Sequence, residues 1–322
     1  MRLVMMGTGD FALPTFLALY STCHEVVGLF TQPDRTGRGH HHHRNPLKEA
    51  ALEHQTRVYQ PENANTPESL DRLRNLKPDL CVVAAYGQIL SDELLQIPRL
   101  GAINVHASLL PKYRGAAPVQ FAVLNGDGQT GVTIFQIQPK LDAGPILAAA
   151  STAIGPKETA GEIEHRLSEL SVPLVVRVID QLERGNAEPL PQPFGGVTRA
   201  PRLKKSDGSV DWNQPAWKID CHVRAMQPWP KAFTYWLSSG REAFRLIILD
   251  VEPASGESAA LAPDASPGDV VLADGKRLLV QAADGPVDVR LLQPEGKRTM
   301  AAVEFLNGHA VQIGDRMGPL PE

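Results

Sequence analysis

Four short apolar runs near the start of the chain, RLVMM (2–6), EVVGLF (25–30), DLCVVAA (79–85) and GAINVH (101–106), alternate with segments of helical pattern near 11–20, 46–55, 66–76 and 91–96. A short apolar run without alternation suits a strand buried on both faces, and such a strand needs helices above and below its sheet. Strand and helix in alternation read as βαβ units, whose crossovers make neighbouring strands parallel. The expected fold is therefore α/β, with a Rossmann-like, mostly parallel sheet and flanking helices. TGVTIFQI (130–137) and GPILAAASTAI (144–154) extend it as a hairpin-like pair. Residues 159–185 continue as a long amphipathic helix, with Pro173 expected at a kink or a break.

The pattern changes over 185–209, which is rich in Pro, Gly and charge and has no apolar period, the composition of an interdomain linker. Beyond it, AFTYWLSSGREAFRLIILDVEP holds two β-rich runs around a Ser-Ser-Gly turn, and shorter runs follow at 269–273, 277–282 and 286–292. Short strands at that spacing suggest a smaller, OB-like β-barrel. The chain thus divides into a catalytic domain (1–190), a linker (191–208) and a C-terminal barrel (209–322), which a length of 322 residues allows.

Several classes are excluded early. No apolar run approaches the ~20 residues of a membrane helix, and the opening MRLVMMGTGDFALPTF is broken by Gly and Asp where a signal peptide stays apolar. A cytoplasmic protein with no membrane partner is expected. Cys23, Cys81 and Cys221 are far apart, which supports neither a disulfide framework nor a zinc site. A net charge of −4 gives no global signature of nucleic-acid binding, so any such contact must be local.

Gly7, Gly9 and Ala12 match a G-x-G-x-x-A turn after the first strand. That turn can bind an anion or nucleotide, but the second strand ends at Thr31 rather than at an acid that would hold a ribose, which favours a plain strand-to-helix turn. Asn104 and His106 are more specific. Two apart on a strand, they face the same way from its carboxyl end, where α/β folds bind ligands. An Asn amide can donate to a developing oxyanion and a His can move a proton near neutral pH, a pair suited to acyl transfer to an amine. The same pair can instead simply hydrogen-bond the loop that follows. Asp142, in KLDAGPI, is placed either to orient an imidazole or to close an Asx turn.

The stretch NVHASLLPKYRGAAP (104–118), with its Asn-x-His followed by Ser-Leu-Leu-Pro and Arg-Gly, resembles the signature of the folate-dependent formyltransferase family, and LDAGPIL (141–147) resembles the segment bearing the family's Asp. GTGDFALP, FTQPDRTGRG, VVAAYGQIL, TGVTIFQI, LKKSDGSVDW and RAMQPWP are similar to the branch that formylates initiator methionyl-tRNA, covering most of residues 1–230. The resemblance implies 10-formyltetrahydrofolate as donor, the α-amine of methionyl initiator tRNA as acceptor, no metal, and a monomer. It makes Asn104, His106 and Asp142 the catalytic trio. It assigns the folate site to Tyr86, Gly87, Gln88, Ile89 and Leu90 and to Ser108, Leu109, Leu110 and Pro111. It gives the tRNA to Arg35 and Arg38 of the TQPDRTGRG loop. Separately, Arg199, Arg202, Lys204 and Lys205 of the linker offer a basic strip for phosphate contacts, or charge that serves only solubility.

Three features depart from the family pattern. Gly9 stands where Pro is more usual, a softer turn with no obvious loss of chemistry. His40 to His43 stand where lysines are usual, and should attract RNA less at neutral pH and more as the pH falls; a metal site is the other reading of that tract. Residues 206–322 carry 11 Lys/Arg against 16 Asp/Glu, acidic for a tRNA-binding barrel. Two other functions are compatible with the residues. A formyltransferase for a sugar-nucleotide amine would keep the trio but not the TQPDRTGRG loop, and a non-catalytic folate- or nucleotide-binding protein would not need the trio.

Overall fold

The computed structural model describes residues 1–34, 44–255 and 264–320. Arg35, Arg38 and His40 to His43 lie outside the described residues. The chain forms two compact units, one made of Met1–Val119, Gln129–Ala153 and Glu162–Arg202, the other of Gln120–Gly128, Ile154–Gly161 and Leu203–Glu322.

In the first unit β1 (Arg2–Gly7), α1 (Leu13–Tyr20), β2 (Glu25–Phe30), α2 (Pro46–Glu53), β3 (Val58–Tyr59), α3 (Pro67–Leu76), β4 (Leu80–Ala84), α4 (Asp92–Leu95) and β5 (Ala102–His106) follow the expected alternation. Local chemistry marks the helix starts. The side chains of Asn45, Thr66 and Ser91 accept the backbone N–H groups of Lys48, Ser69 and Leu94, and Pro46 and Pro67 occupy first-turn positions where no N–H is needed. After β6 (Arg114–Gly115) and α5 (Pro118–Leu124), β7 (Gln129–Gln136) and β8 (Ile146–Ala153) complete a sheet of order β3-β2-β1-β4-β5-β7-β8. Neighbours are parallel as far as β5, and the β7–β8 pair is antiparallel, as the hairpin reading required.

The strand order reverses beside β1, between β2 on one side and β4 on the other, which makes the carboxyl ends of β1, β4 and β5 the natural ligand crevice. Gly7 serves packing there, since a Cβ would sit 2.8 Å from the Ala84 carbonyl oxygen and 3.1 Å from the Ala12 Cβ. Gly9 supplies the positive φ (77°) of the turn into the first helix.

α6 (Ala160–Arg184) runs through Pro173 without a break. The missing N–H leaves the Glu169 carbonyl without its helical donor, but both residues are exposed, so solvent is at hand for that carbonyl. After β9 (Arg199–Ala200), the second unit holds α7 (Ala216–Ala225), β10 (Ala232–Leu237), β11 (Phe244–Pro253), β12 (Val270–Ala273), β13 (Leu278–Ala282), β14 (Gly285–Pro294), β15 (Met300–Ala301), α8 (Ala302–Gly308) and β16 (Arg316–Gly318). Its antiparallel sheet has the order β12-β13-β14-β11-β10-β16, with β15 beside β14. Asp269, just before β12, pairs with Arg316 of β16, and the Met317 N–H donates to the Gly268 carbonyl (2.7 Å), so the sheet closes into a barrel.

Candidate active site

β5 lies between β4, which pairs Val83 with Asn104, and β7, which pairs Phe135 with Asn104 and Thr133 with His106. The strand is held on both edges, so the two polar residues at its carboxyl end start from a rigid backbone. Asn104 is half-buried, and among the described residues no group hydrogen-bonds its side-chain amide. His106 is only 5 % exposed. Its Nε2 lies 2.9 Å from the Tyr113 carbonyl oxygen, which can only accept, so Nε2 carries the hydrogen and Nδ1 of the neutral ring keeps a lone pair.

That Nδ1 lies 3.9 Å from Asp142 Oδ2. The gap is too long for a direct hydrogen bond but short enough for strong attraction once the ring is charged. Burial pushes the imidazole pKa down, against the Asp142 charge and the Tyr113 hydrogen bond, which pull it up; burial prevails. The resting ring is thus neutral near pH 7, its free nitrogen turned toward a carboxylate that would stabilise an added proton. Phe135, itself buried, meets the imidazole edge-on, ring centroids 6.2 Å apart.

Asp142 has φ 46°, a left-handed conformation that Asp tolerates better than most residues. Its Oδ2 also accepts the Gly115 N–H at 2.8 Å. Two glycines make the approach possible: a Cβ on Gly115 would lie 2.4 Å from the Ala200 carbonyl oxygen, and one on Gly144 would lie 1.7 Å from that of Gln136. Both open reading alternatives for Asp142 are partly met, since it sits in a turn and also faces the imidazole.

The segment read as a linker is tied to this site along 190–200. Leu190 and Ile146 exchange backbone hydrogen bonds of 2.7 and 2.8 Å. Thr198 accepts the Tyr113 N–H on its hydroxyl (2.8 Å) and the Arg114 N–H on its carbonyl (2.9 Å), and β9 pairs in parallel with β6. Gln192 accepts from Arg114 and donates to the carbonyls of Asp142 and Gly144. The first unit reaches to Arg202 and the second resumes at Leu203.

A family model described as Formyl transferase matches residues 1–179, and one described as Formyl transferase, C-terminal domain, matches 202–310. The methionyl-tRNA formyltransferase of Magnetococcus marinus is 42% identical over 318 residues, covering 98% of both chains, and that of Acidiphilium cryptum is 42% identical over 320 residues, covering 99% of this chain and 100% of the relative. The chain belongs to the methionyl-tRNA formyltransferase family. A solved methionyl-tRNA formyltransferase from Clostridium thermocellum shares the fold with a TM-score of 0.55 at 16% identity, over 80% of this chain and 95% of that one.

Within this formyltransferase the expected folate residues divide by orientation. Tyr86 and Leu90 are buried in the core cluster with Val4, Met6 and Val83; the Tyr86 hydroxyl has no hydrogen-bond partner among the described residues, and burial raises its pKa. Gln88 holds the loop in place through the Ala64 N–H (2.7 Å) and the Pro61 carbonyl (3.1 Å). Gly87 and Ile89 face outward, Ile89 being 82 % exposed. In the second segment Ser108 is fully buried and its hydroxyl donates to the Lys112 carbonyl (2.6 Å), Leu110 is buried, and Leu109 and Pro111 are half-buried.

Arg202 is exposed, and its guanidinium lies beside Gly87, within 3.7 Å of where a Cβ would stand. Lys204 and Lys205, in the second unit, are exposed. Sequence reasoning missed Tyr113, Gly115, Gln192 and Thr198. Only Arg114-Gly115, inside the signature, and the polar residues scattered among the prolines of 187–198 offered a signal.

Proposed function

We propose that the chain transfers the formyl group of 10-formyltetrahydrofolate to the α-amino group of methionyl initiator tRNA. The observation that carries this reading is the lone-pair nitrogen of a buried, neutral His106 facing the Asp142 carboxylate at 3.9 Å, two residues from the unpartnered amide of Asn104. A neutral amine must lose a proton as it attacks a formyl carbon, and negative charge collects on the formyl oxygen. His106 Nδ1 accepts that proton, the Asp142 charge stabilises the resulting imidazolium, and the Asn104 amide together with the imidazolium supports the oxyanion. The proton then passes to the leaving nitrogen of the folate.

The donor is held by the outward backbone of Gly87 and the side chain of Ile89, with the walls of 108–111 on the other side. The fit rests on what the loop presents: Gly87 at φ 77° leaves its peptide groups accessible, and Gln88 fixes the loop before any ligand arrives. The remaining folate residues, Tyr86 and Leu90, anchor the loop from beneath. Residues 1–190 act as the catalytic domain and 209–322 as a tRNA-contacting barrel, with Arg202, Lys204 and Lys205 contributing phosphate contacts and Arg35 and Arg38 meeting the acceptor end. The chain is proposed to act as a monomer, as the resemblance to the family implies.

The test is transfer of labelled formyl from 10-formyltetrahydrofolate to methionyl initiator tRNA, with methionyl elongator tRNA and a 4-amino-sugar nucleotide as competitors. Rapid transfer to the initiator alone is expected. Transfer to the sugar would overturn the acceptor and keep the chemistry. Folate binding with no transfer to any amine would leave a binding protein.

A further inference from the structure

The two flanks of the His106 imidazole are set by groups that one segment holds. On the Nε2 side is the Tyr113 carbonyl, whose own N–H is bound by the Thr198 hydroxyl (2.8 Å). On the Nδ1 side is Asp142, whose loop is bound by Gln192. The Gln192 amide makes four hydrogen bonds: its Oε1 accepts from Arg114 Nε (3.2 Å) and Nη2 (2.6 Å), and its Nε2 donates to the carbonyls of Asp142 (2.8 Å) and Gly144 (2.9 Å). Guanidinium groups only donate and carbonyls only accept, so the orientation of the amide is forced by its neighbours. Both arms converge on one contact. Arg114 precedes Gly115, and the Gly115 N–H donates to the Asp142 carboxylate.

From this arrangement we propose that Gln192 is a positioning residue for formyl transfer: it locks the Asp142 loop against the Arg114–Gly115 segment so that the carboxylate faces His106 Nδ1. This rests on the catalytic reading above. Asp142 occupies a left-handed conformation, and the bond to its own carbonyl holds that conformation from the backbone side. No other residue type supplies two acceptor contacts at one end and two donor contacts at the other at this reach. A Glu would keep the Arg114 pairs and set a carboxylate oxygen against two carbonyls; a Met would keep the volume and lose all four bonds.

The experiment compares Gln192→Met, Gln192→Glu, Asp142→Asn and the Gln192→Met/Asp142→Asn double variant in the full chain, measuring kcat, KM for both substrates, folate affinity and thermal melting. Gln192→Met is expected to lower kcat about ten- to a hundredfold, with folate affinity within about threefold of wild type. Gln192→Glu should lose at least as much although it can still pair with Arg114. Because Gln192 acts through Asp142, the double variant should be no slower than Asp142→Asn alone. Wild-type kcat in Gln192→Glu would show that only the Arg114 arm matters and would overturn the proposal, as would multiplicative losses in the double variant. If Gln192→Met melts early, Gln192→Glu and the cycle, read below the melting range, still decide. A near-normal Asp142→Asn would sink the catalytic reading itself, whereas a slow Asp142→Asn beside a normal Gln192→Met would sink only this proposal.

Discussion

Strand β4 is buried at all five of its positions, whereas β10 alternates buried and half-buried residues along its six. The first belongs to a parallel sheet roofed by helices on both faces, the second to a barrel wall with one face inward and one outward. A strand with no outward face can offer chemistry only at its tip, and Asn104 and His106 stand at such a tip. The barrel wall has a whole face to offer, yet residues 206–322 are net acidic while 1–205 carry 21 Lys/Arg against 20 Asp/Glu. The proposed chemistry thus lies at one end of the parallel sheet, and the proposed tRNA contact of the barrel cannot rest on its net charge.

The contrast can be broken most forcefully in the barrel interior. Phe305 is fully buried, stacked on His309 with centroids 4.3 Å apart and edge-on to Trp236 at 5.9 Å. Phe305→Ala should cost about 3–5 kcal/mol of stability in denaturant unfolding followed by tryptophan fluorescence. A loss below about 1 kcal/mol would mean that this interior does not hold the barrel together.

At the candidate site, Asn104→Ala, His106→Ala and Asp142→Ala should each raise the barrier by ~2.7–4 kcal/mol, a fall of about a hundredfold or more in single-turnover rate with the fold intact. Near-normal turnover in any one removes that residue from the mechanism.

The pH profile sharpens the same point at smaller cost in rate. In the proposed mechanism neutral His106 is the acting form, so activity should be present above its pKa and lost as the pH falls through it; burial sets that pKa below its ordinary value. The acid limb of kcat/KM should have its midpoint below about pH 6.5. Asp142→Asn removes a charge that raises the pKa and should move the residual limb lower still. An acid limb above pH 7 would contradict a buried neutral base.

The smallest effect belongs to the exposed cations. Arg202→Ala, Lys204→Ala and Lys205→Ala should each reduce the slope of log affinity for tRNA against log salt by about 1. An unchanged slope would take that residue out of the RNA contact and deepen the contrast between the two regions.

What the sequence revealed follows the same division. β1, β2, β4 and β5 were legible because unbroken apolar runs have few other uses, and the Asn104–His106 pair was legible because the two-residue period of a strand is strict. Pro173 misled toward a possible break because composition does not say which face of a helix a proline occupies. The 190–200 segment read as a linker because Pro, Gly and polar residues are what a solvated connector and a backbone-bonded strap both require. Its partners, Tyr113, Arg114 and Asp142, are far away along the chain, and no local pattern encodes a hydrogen bond across such a distance. Asp142 itself was ambiguous for a similar reason, since its turn is local and its imidazole is not.

The ring of the second unit has a consequence for biosynthesis. β16 supplies the rung that joins Asp269 to Arg316, and it is made after every other strand of that sheet. During translation β10 to β15 can pair as they emerge, and Ser209–Val210 already bonds to Phe233 on the outer edge of β10, but Tyr235–Leu237 on that edge and Val270 on the β12 edge lack their partners until residues 314–318 have left the ribosome. For that interval the nascent chain exposes unpaired stretches of two strand edges, the surface on which chains mispair with one another.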